Sequence, residues 1–99
     1  MKLVISPQAA EDIDAATRWW IANRPAAPDL FERELLQSLE FIATTPMAGA
    51  ALLSGRGPGA RRVPLPRTRY LLYYRVLEAE GEVRVLRLWH ATRGAKPRL

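Results

Sequence analysis

Residues 69–90, "RYLLYYRVLEAEGEVRVLRLWH", decide how this 99-residue chain folds. Two runs rich in β-branched and aromatic residues, "RYLLYYRV" and "EVRVLRLWH", are separated by "LEAEG", a short turn closing on Gly81. That arrangement predicts an antiparallel hairpin. In the first run Tyr70, Leu72, Tyr74 and Val76 point one way, while Leu71 and Tyr73 point the other, alongside Arg69 and Arg75. The second run is likewise apolar on both sides. A single helical layer covers one face, so the other face must be sheltered by the tail, by a second copy or by another protein.

Working outward, "RRVPL" at 61–65 is a third strand, which Pro64 and Pro66 place at an edge or make irregular. The preceding "SGRGPG" at 54–59 lacks the spacing of a Walker or dinucleotide fingerprint and reads as a connection, not a phosphate cradle. At the amino terminus "KLVIS" is a short strand, and Ser6-Pro7 supplies an N-cap and a first helical residue. Ala9, Ile13, Ala16 and Trp20 then share one helical face, which makes Trp20 core. Trp19 lies about 100° round the wheel, at the edge of that face or beyond it. "NRPAAP" at 23–28 breaks the helix, and Pro28 can open the next one. In the second helix Phe31, Leu35, Leu39 and Ile42 form the inward stripe, with Leu30 and Phe41 on the far side among Glu34 and Gln37. "TTPMAG" at 44–49 ends it. The expected fold is α+β, in the order β-α-α-β-β-β, with a two-helix hairpin packed on one face of a small, mainly antiparallel sheet, as a single domain over residues 1–99.

Composition narrows the chemistry. There is no cysteine and only one histidine, His90, so a disulfide framework, a thiolate metal site and a multi-histidine zinc site are excluded; no metal and no cofactor are expected. No apolar run has the length of a signal peptide or of a membrane span, which predicts a soluble cytoplasmic protein. Residues 1–60 carry five Lys or Arg against seven Asp or Glu, a net of −2, whereas residues 61–99 carry ten against three, a net of +7. Thirteen of the fifteen basic residues are Arg, whose planar fork matches phosphate and carboxylate, so an anionic partner is expected for the carboxy-terminal half.

The opening "ISPQAAEDIDAATRWW", the P-x-A-G at 46–49, "RRVPLPRTRYLLYYRV" and the ending "VRVLRLWHATRG", taken in this order and spacing, resemble the RelE/ParE toxin superfamily over nearly the whole chain. The resemblance implies the toxin of a type II toxin-antitoxin pair, neutralised by a small antitoxin that wraps an extended or helical segment over it in a hetero-oligomer. Trp19, Leu30, Phe41, Arg61 and Arg75 are the residues expected to meet that antitoxin. RelE-like members cut messenger RNA on the ribosome, and ParE-like members act on DNA gyrase.

RNA cleavage needs a base for the 2′-hydroxyl, an acid for the leaving oxygen and a cation for the developing charge. His90, Arg69 and Arg87 are the candidates for a ribonuclease. However, Ala91 follows His90, and no Tyr, Asp or Glu follows Glu82. The ending "WHATRG" is more like the ParE type, with a small residue and an arginine after the histidine. The favoured expectation is therefore a gyrase-directed toxin using Trp89, His90 and Arg93 as a contact surface. A ribosome-dependent ribonuclease is the alternative, and a non-toxic basic nucleic-acid-binding module ranks third.

Overall fold

The computed structural model describes residues 1–53 and 59–99. Strand β1 (Lys2–Ile5) leads into helix α1 (Pro7–Asn23) and helix α2 (Leu30–Thr44); strands β2 (Ala50–Ala51), β3 (Arg61–Leu65), β4 (Tyr70–Leu77) and β5 (Glu82–His90) follow. Among the described residues the strands form one sheet in the order β1-β5-β4-β3-β2, in which only the β1–β5 pair is parallel. The α+β architecture with two helices on a mainly antiparallel sheet is as expected. Strand β2 was not foreseen, because two alanines pairing with Arg61 and Arg62 carry no pattern of their own. Five of the six residues of "SGRGPG" lie outside the described residues.

Ser6 begins α1 as the sequence predicts, its Oγ accepting from Ala9 N at 3.1 Å ahead of Pro7. Helix α2 starts at Leu30 and not at Pro28, after a turn closed by Leu30 N donating to Ala27 O at 3.2 Å. The core gathers Ala9, Ala16 and Trp20 of α1, Phe31, Leu35 and Ile42 of α2, and seven side chains of the sheet, among them Leu72, Tyr74, Val83, Val85 and Leu88. Two expectations for α2 are corrected. Leu30 is partly buried and packs against the core instead of facing away. Glu34 is buried on the same flank, for a reason given below, and the exposed apolar residues of α2 are Phe41 and Leu36.

The uneven alternation of β5 has a local cause. Tyr73 pairs with Arg87 and Tyr74 with Val85, so Leu86 has no partner and forms a bulge. Core residues are odd-numbered before it (Val83, Val85) and even-numbered after it (Leu88). The first turns of α1 satisfy the backbone around the bulge: Ser6 Oγ donates to Leu86 O at 3.0 Å, and Asp12 Oδ2 accepts from Leu88 N at 3.0 Å.

Of the three covers envisaged for the second sheet face, the tail supplies one. Trp89 Nε1 donates to Ala95 O at 2.7 Å, Pro97 is buried, and Arg98 and Leu99 lie beside Leu86, Arg87, Ser6 and Gln8. Tyr73 is buried on that side. The exposed large apolar side chains among the described residues, such as Ile21, Leu36, Phe41 and Met47, lie outside β4 and β5. No described helix is long and apolar enough to cross a membrane.

The P-x-A-G segment closes the β4 end of the core. Tyr74 Oη donates to Pro46 O at 2.7 Å and accepts from Gly49 N at 2.9 Å. A Cβ at position 49 would stand 2.9 Å from Tyr74 Cε1 and closer still to its Oη. Gly49→Ala is therefore expected to cost roughly 2–3 kcal/mol in a urea titration, since the ring cannot move without leaving its two partners. Unchanged stability would show that the tyrosine is not fixed in this way.

Candidate functional site

Three segments far apart in sequence meet at one end of the sheet: the end of α1, the Pro66–Arg69 turn between β3 and β4, and the end of β5 with the residues after it. They enclose an open groove of about 620 Å³ lined by Trp19, Trp20, Arg24, Arg67, Thr68, Arg69, Tyr70, His90, Thr92 and Arg93. Residues read from the sequence as target contacts or as ribonuclease candidates, His90, Arg69 and Arg93, are thus brought together. Arg24, Arg67, Tyr70 and Thr92 were not singled out beforehand.

The turn that carries Arg67 and Arg69 is held from beneath. Glu34 of α2 is 7% exposed and accepts from Arg67 N at 2.8 Å, Thr68 N at 2.9 Å and Thr68 Oγ1 at 2.7 Å. Burial alone would raise the Glu34 pKa, but these hydrogen bonds and the nearby Arg67 charge outweigh it, and the carboxyl is held below its ordinary value of 4.5. This explains a carboxylate on the flank of an otherwise apolar helix face. Arg69 has φ of 68°, a left-handed conformation costly for a non-glycine residue, and is kept there by Arg69 N donating to Leu65 O at 2.8 Å and Ala91 N to Arg69 O at 2.7 Å.

His90 stands opposite Tyr70 in the β4–β5 ladder, and their rings meet edge to face with centroids 4.9 Å apart. Tyr70 also packs on Phe31 at 4.9 Å. Burial raises the Tyr70 pKa more than its hydrogen bond with Trp20 lowers it, so the phenol stays protonated. Thr92 closes on the imidazole: its Oγ1 lies 2.7 Å from His90 Nδ1, and its N–H donates to the same nitrogen at 3.3 Å. A neutral ring so capped carries its proton on Nε2.

Arg18, Arg33, Arg84 and Arg87 pair with Asp14, Asp29, Glu82 and Asp12. Of the groove arginines, Arg24, Arg69 and Arg93 form no ion pair with a carboxylate among the described residues, while Arg67 lies near the Glu34 carboxylate. Arg24 lies over Trp19 at 4.8 Å and Arg93 over Trp89 at 3.6 Å. Arg87, a candidate phosphate ligand in the ribonuclease reading, is corrected: it is outside the groove and bound two-pronged to Asp12, at 2.7 and 3.0 Å. That hydrogen bond is the main cause of its raised pKa.

The remaining predicted contacts lie elsewhere. Trp89 is half-buried under the tail, and Arg61 Nη1 donates to Met47 O at 3.1 Å and Gly49 O at 2.8 Å, which ties it to the end of the helical layer. Arg75 is half-buried in β4. Phe41 is 48% exposed beside a second, shallower groove lined by Gln37, Ser38, Arg62 and Pro64, and Trp19 is 45% exposed at the rim of the first. Among the described residues no three His, Cys, Asp or Glu side chains gather as a metal site.

A two-helix layer on such a sheet is a fold shared with solved ParE and RelE toxins. Similar solved structures include the chromosomal ParDE toxin-antitoxin system from P. aeruginosa, at TM-score 0.74 and 23% identity, covering 91% of this chain and 95% of that one. The isolated E. coli RelE toxin follows at TM-score 0.57 and 19% identity, covering 94% and 86%, and the intact E. coli RelBE toxin-antitoxin complex at 0.57 and 20%, covering 93% and 98%. These likenesses concern the fold. No curated protein sequence matches significantly. The family model described as the ParE toxin of type II toxin-antitoxin systems, parDE, matches residues 3–94, and the chain belongs to that family.

Proposed function

We propose that this chain, acting as a single domain in the cytoplasm, is the toxin of a type II toxin-antitoxin pair, that it poisons DNA gyrase, and that a cognate antitoxin neutralises it in a hetero-oligomer. Family membership over residues 3–94 supports the toxin role, and the similarity to ParDE and RelBE structures supports a bound antitoxin. The exposed Phe41 and the shallow groove beside it are where the antitoxin is best accommodated, with Trp19, Arg61 and Arg75 as the further contacts expected of it; Leu30, packed against the core, is withdrawn from that surface.

The observation that favours gyrase over RNA cleavage is the state of the groove. Its one imidazole has its basic nitrogen capped by Thr92, its phenol is held protonated, and no carboxylate lines it. Transesterification needs a base and an acid in reach of one phosphate, and the groove offers no carboxylate or second imidazole to share that work with His90. The second reading, a ribosome-dependent ribonuclease, draws on the placing of His90 and Arg69 in the same groove and on the likeness to RelE.

Inducible expression separates the two. His90→Gln is expected to keep most toxicity and gyrase-linked DNA breaks, because Gln retains a hydrogen-bonding group. Arg93→Glu is expected to abolish most of it by inverting a charge at the groove mouth. Loss of toxicity in a folded His90→Gln chain, with messenger RNA cut by the wild type, would move the assignment to the nuclease, whose general base is worth about 10² to 10⁴ in rate.

A further inference from the structure

We infer that Trp89 is a positioning residue for Arg93: it fixes that guanidinium at the mouth of the groove and itself touches no partner. The inference rests on the toxin reading only for the identity of what Arg93 meets.

Residues 91–95 follow the last strand and are all exposed. A stretch of small side chains with a glycine, lying outside the sheet, is by composition mobile. Here it is tied back to the strand end three times. Arg93 N donates to His90 O at 3.1 Å, Thr92 Oγ1 lies 2.7 Å from His90 Nδ1, and Trp89 Nε1 donates to Ala95 O at 2.7 Å. Those ties hold the backbone. The Arg93 side chain is held by Trp89 alone among them, its guanidinium carbon 3.6 Å from the centroid of the indole ring. The other cation–ring pairs among the described residues stand at 4.8, 5.2 and 5.7 Å, so this one is in full contact.

A second cation beside the same ring opposes such an approach. Arg87 lies 5.2 Å from the indole centroid, but Asp12 binds it two-pronged, at 2.7 and 3.0 Å, and offsets its charge. The indole is thereby left to Arg93. Trp89 is half-buried, with its N–H occupied and a guanidinium on its ring, whereas Arg93 is exposed and lines the groove. A partner therefore meets the arginine and not the tryptophan. Ordering a side chain as long as arginine at the moment of binding weakens affinity by about two- to tenfold, which prior stacking avoids.

The test has two arms. In the isolated chain, NMR relaxation of the Arg93 Nε–Hε group reads its order, and ring-current shifts of its side-chain protons read its contact with the indole. Both signatures are expected in the wild type, largely kept in Trp89→Phe and lost in Trp89→Leu. With DNA gyrase, the concentration giving half-maximal DNA breaks should rise about two- to tenfold for Trp89→Leu and less than about threefold for Trp89→Phe. Arg93→Lys, an exposed change that keeps the charge but gives up the planar fork, should lose about as much as Trp89→Leu. The double variant Arg93→Ala with Trp89→Leu should poison no worse than Arg93→Ala alone, because a residue acting through another adds nothing once that other is gone.

An Arg93 side chain as ordered in Trp89→Leu as in the wild type, additive losses in the double variant, or Arg93→Lys poisoning like the wild type would each overturn the inference. Arg93→Lys and the NMR signatures of Trp89→Phe decide it even where Trp89→Leu fails to fold. A chain whose Arg93 is ordered through Trp89 but which never poisons gyrase supports the inference and fails the gyrase reading alone.

Discussion

Glu34→Ala is expected to destabilise the chain by roughly 3 kcal/mol and to remove toxicity even at temperatures where the domain stays folded. The carboxylate accepts three hydrogen bonds in a buried site, so its loss leaves Arg67 N, Thr68 N and Thr68 Oγ1 without an acceptor; each such group costs about 1–3 kcal/mol, offset where water enters. Glu34→Gln keeps one acceptor but turns an amide N–H towards a donor, and is expected to fall between the two. The pH dependence follows from the direction of the shift. Because the folded-state pKa lies below 4.5, ionised Glu34 contributes stability that is fully present above that value and is lost as pH falls through the lower folded value. Urea titrations between about pH 6 and pH 3 should therefore show a steeper acid loss for the wild type than for Glu34→Gln. Parallel pH profiles for the two would mean that this carboxylate does not hold the turn.

Asp12→Ala is expected to cost about 2–4 kcal/mol, the partly exposed end of the range for breaking an ion pair by removing one partner. The Asp12 and Arg87 side chains are 16% and 23% exposed, so the abandoned guanidinium stays largely away from solvent, and Leu88 N loses its acceptor as well. Removing both charges, in Asp12→Ala with Arg87→Met, should recover part of the loss, because the uncompensated cation goes with it. A double variant no more stable than Asp12→Ala would show that the cost lies in the backbone at Leu88 and not in the charge.

Much of the fold was legible because single residues forced it. Ser6-Pro7 starts α1, the Ala9, Ile13, Ala16 and Trp20 stripe faces the sheet, and Gly81 at φ 62° closes the hairpin. Leu30 and Glu34 were misplaced for one reason. A helical wheel knows only directions within its own helix, whereas the Pro66–Arg69 turn rises against that flank of α2 and buries it. Leu30, at the start of the same helix, packs against the core.

The site was legible in part. His90, Arg69 and Arg93 were found through the resemblance of "RTRYLLYYRV" and "WHATRG" to known toxins. Arg24 and Arg67 carry no motif, since they come from a helix end and a turn more than 40 residues apart in the chain; a cue existed only for Arg24, four residues after Trp20 and hence on its side of α1. Arg87 looked as available as Arg69, and only the three-dimensional position of Asp12 shows that it is occupied.

The unpaired Leu86 makes β5 a strand with two phases. Up to Val85 the odd positions belong to the interior, and beyond it the even ones do, so that His90 looks into the groove and Trp89 under the tail. Alignment of this chain with a relative that lacks the extra residue is therefore out of step for everything downstream: it trades a histidine for a tryptophan and takes a packing residue for a functional one. The chemistry at the end of the strand is set by a count of residues as much as by their kinds, and a single deletion upstream would rewrite the groove without altering one of its amino acids.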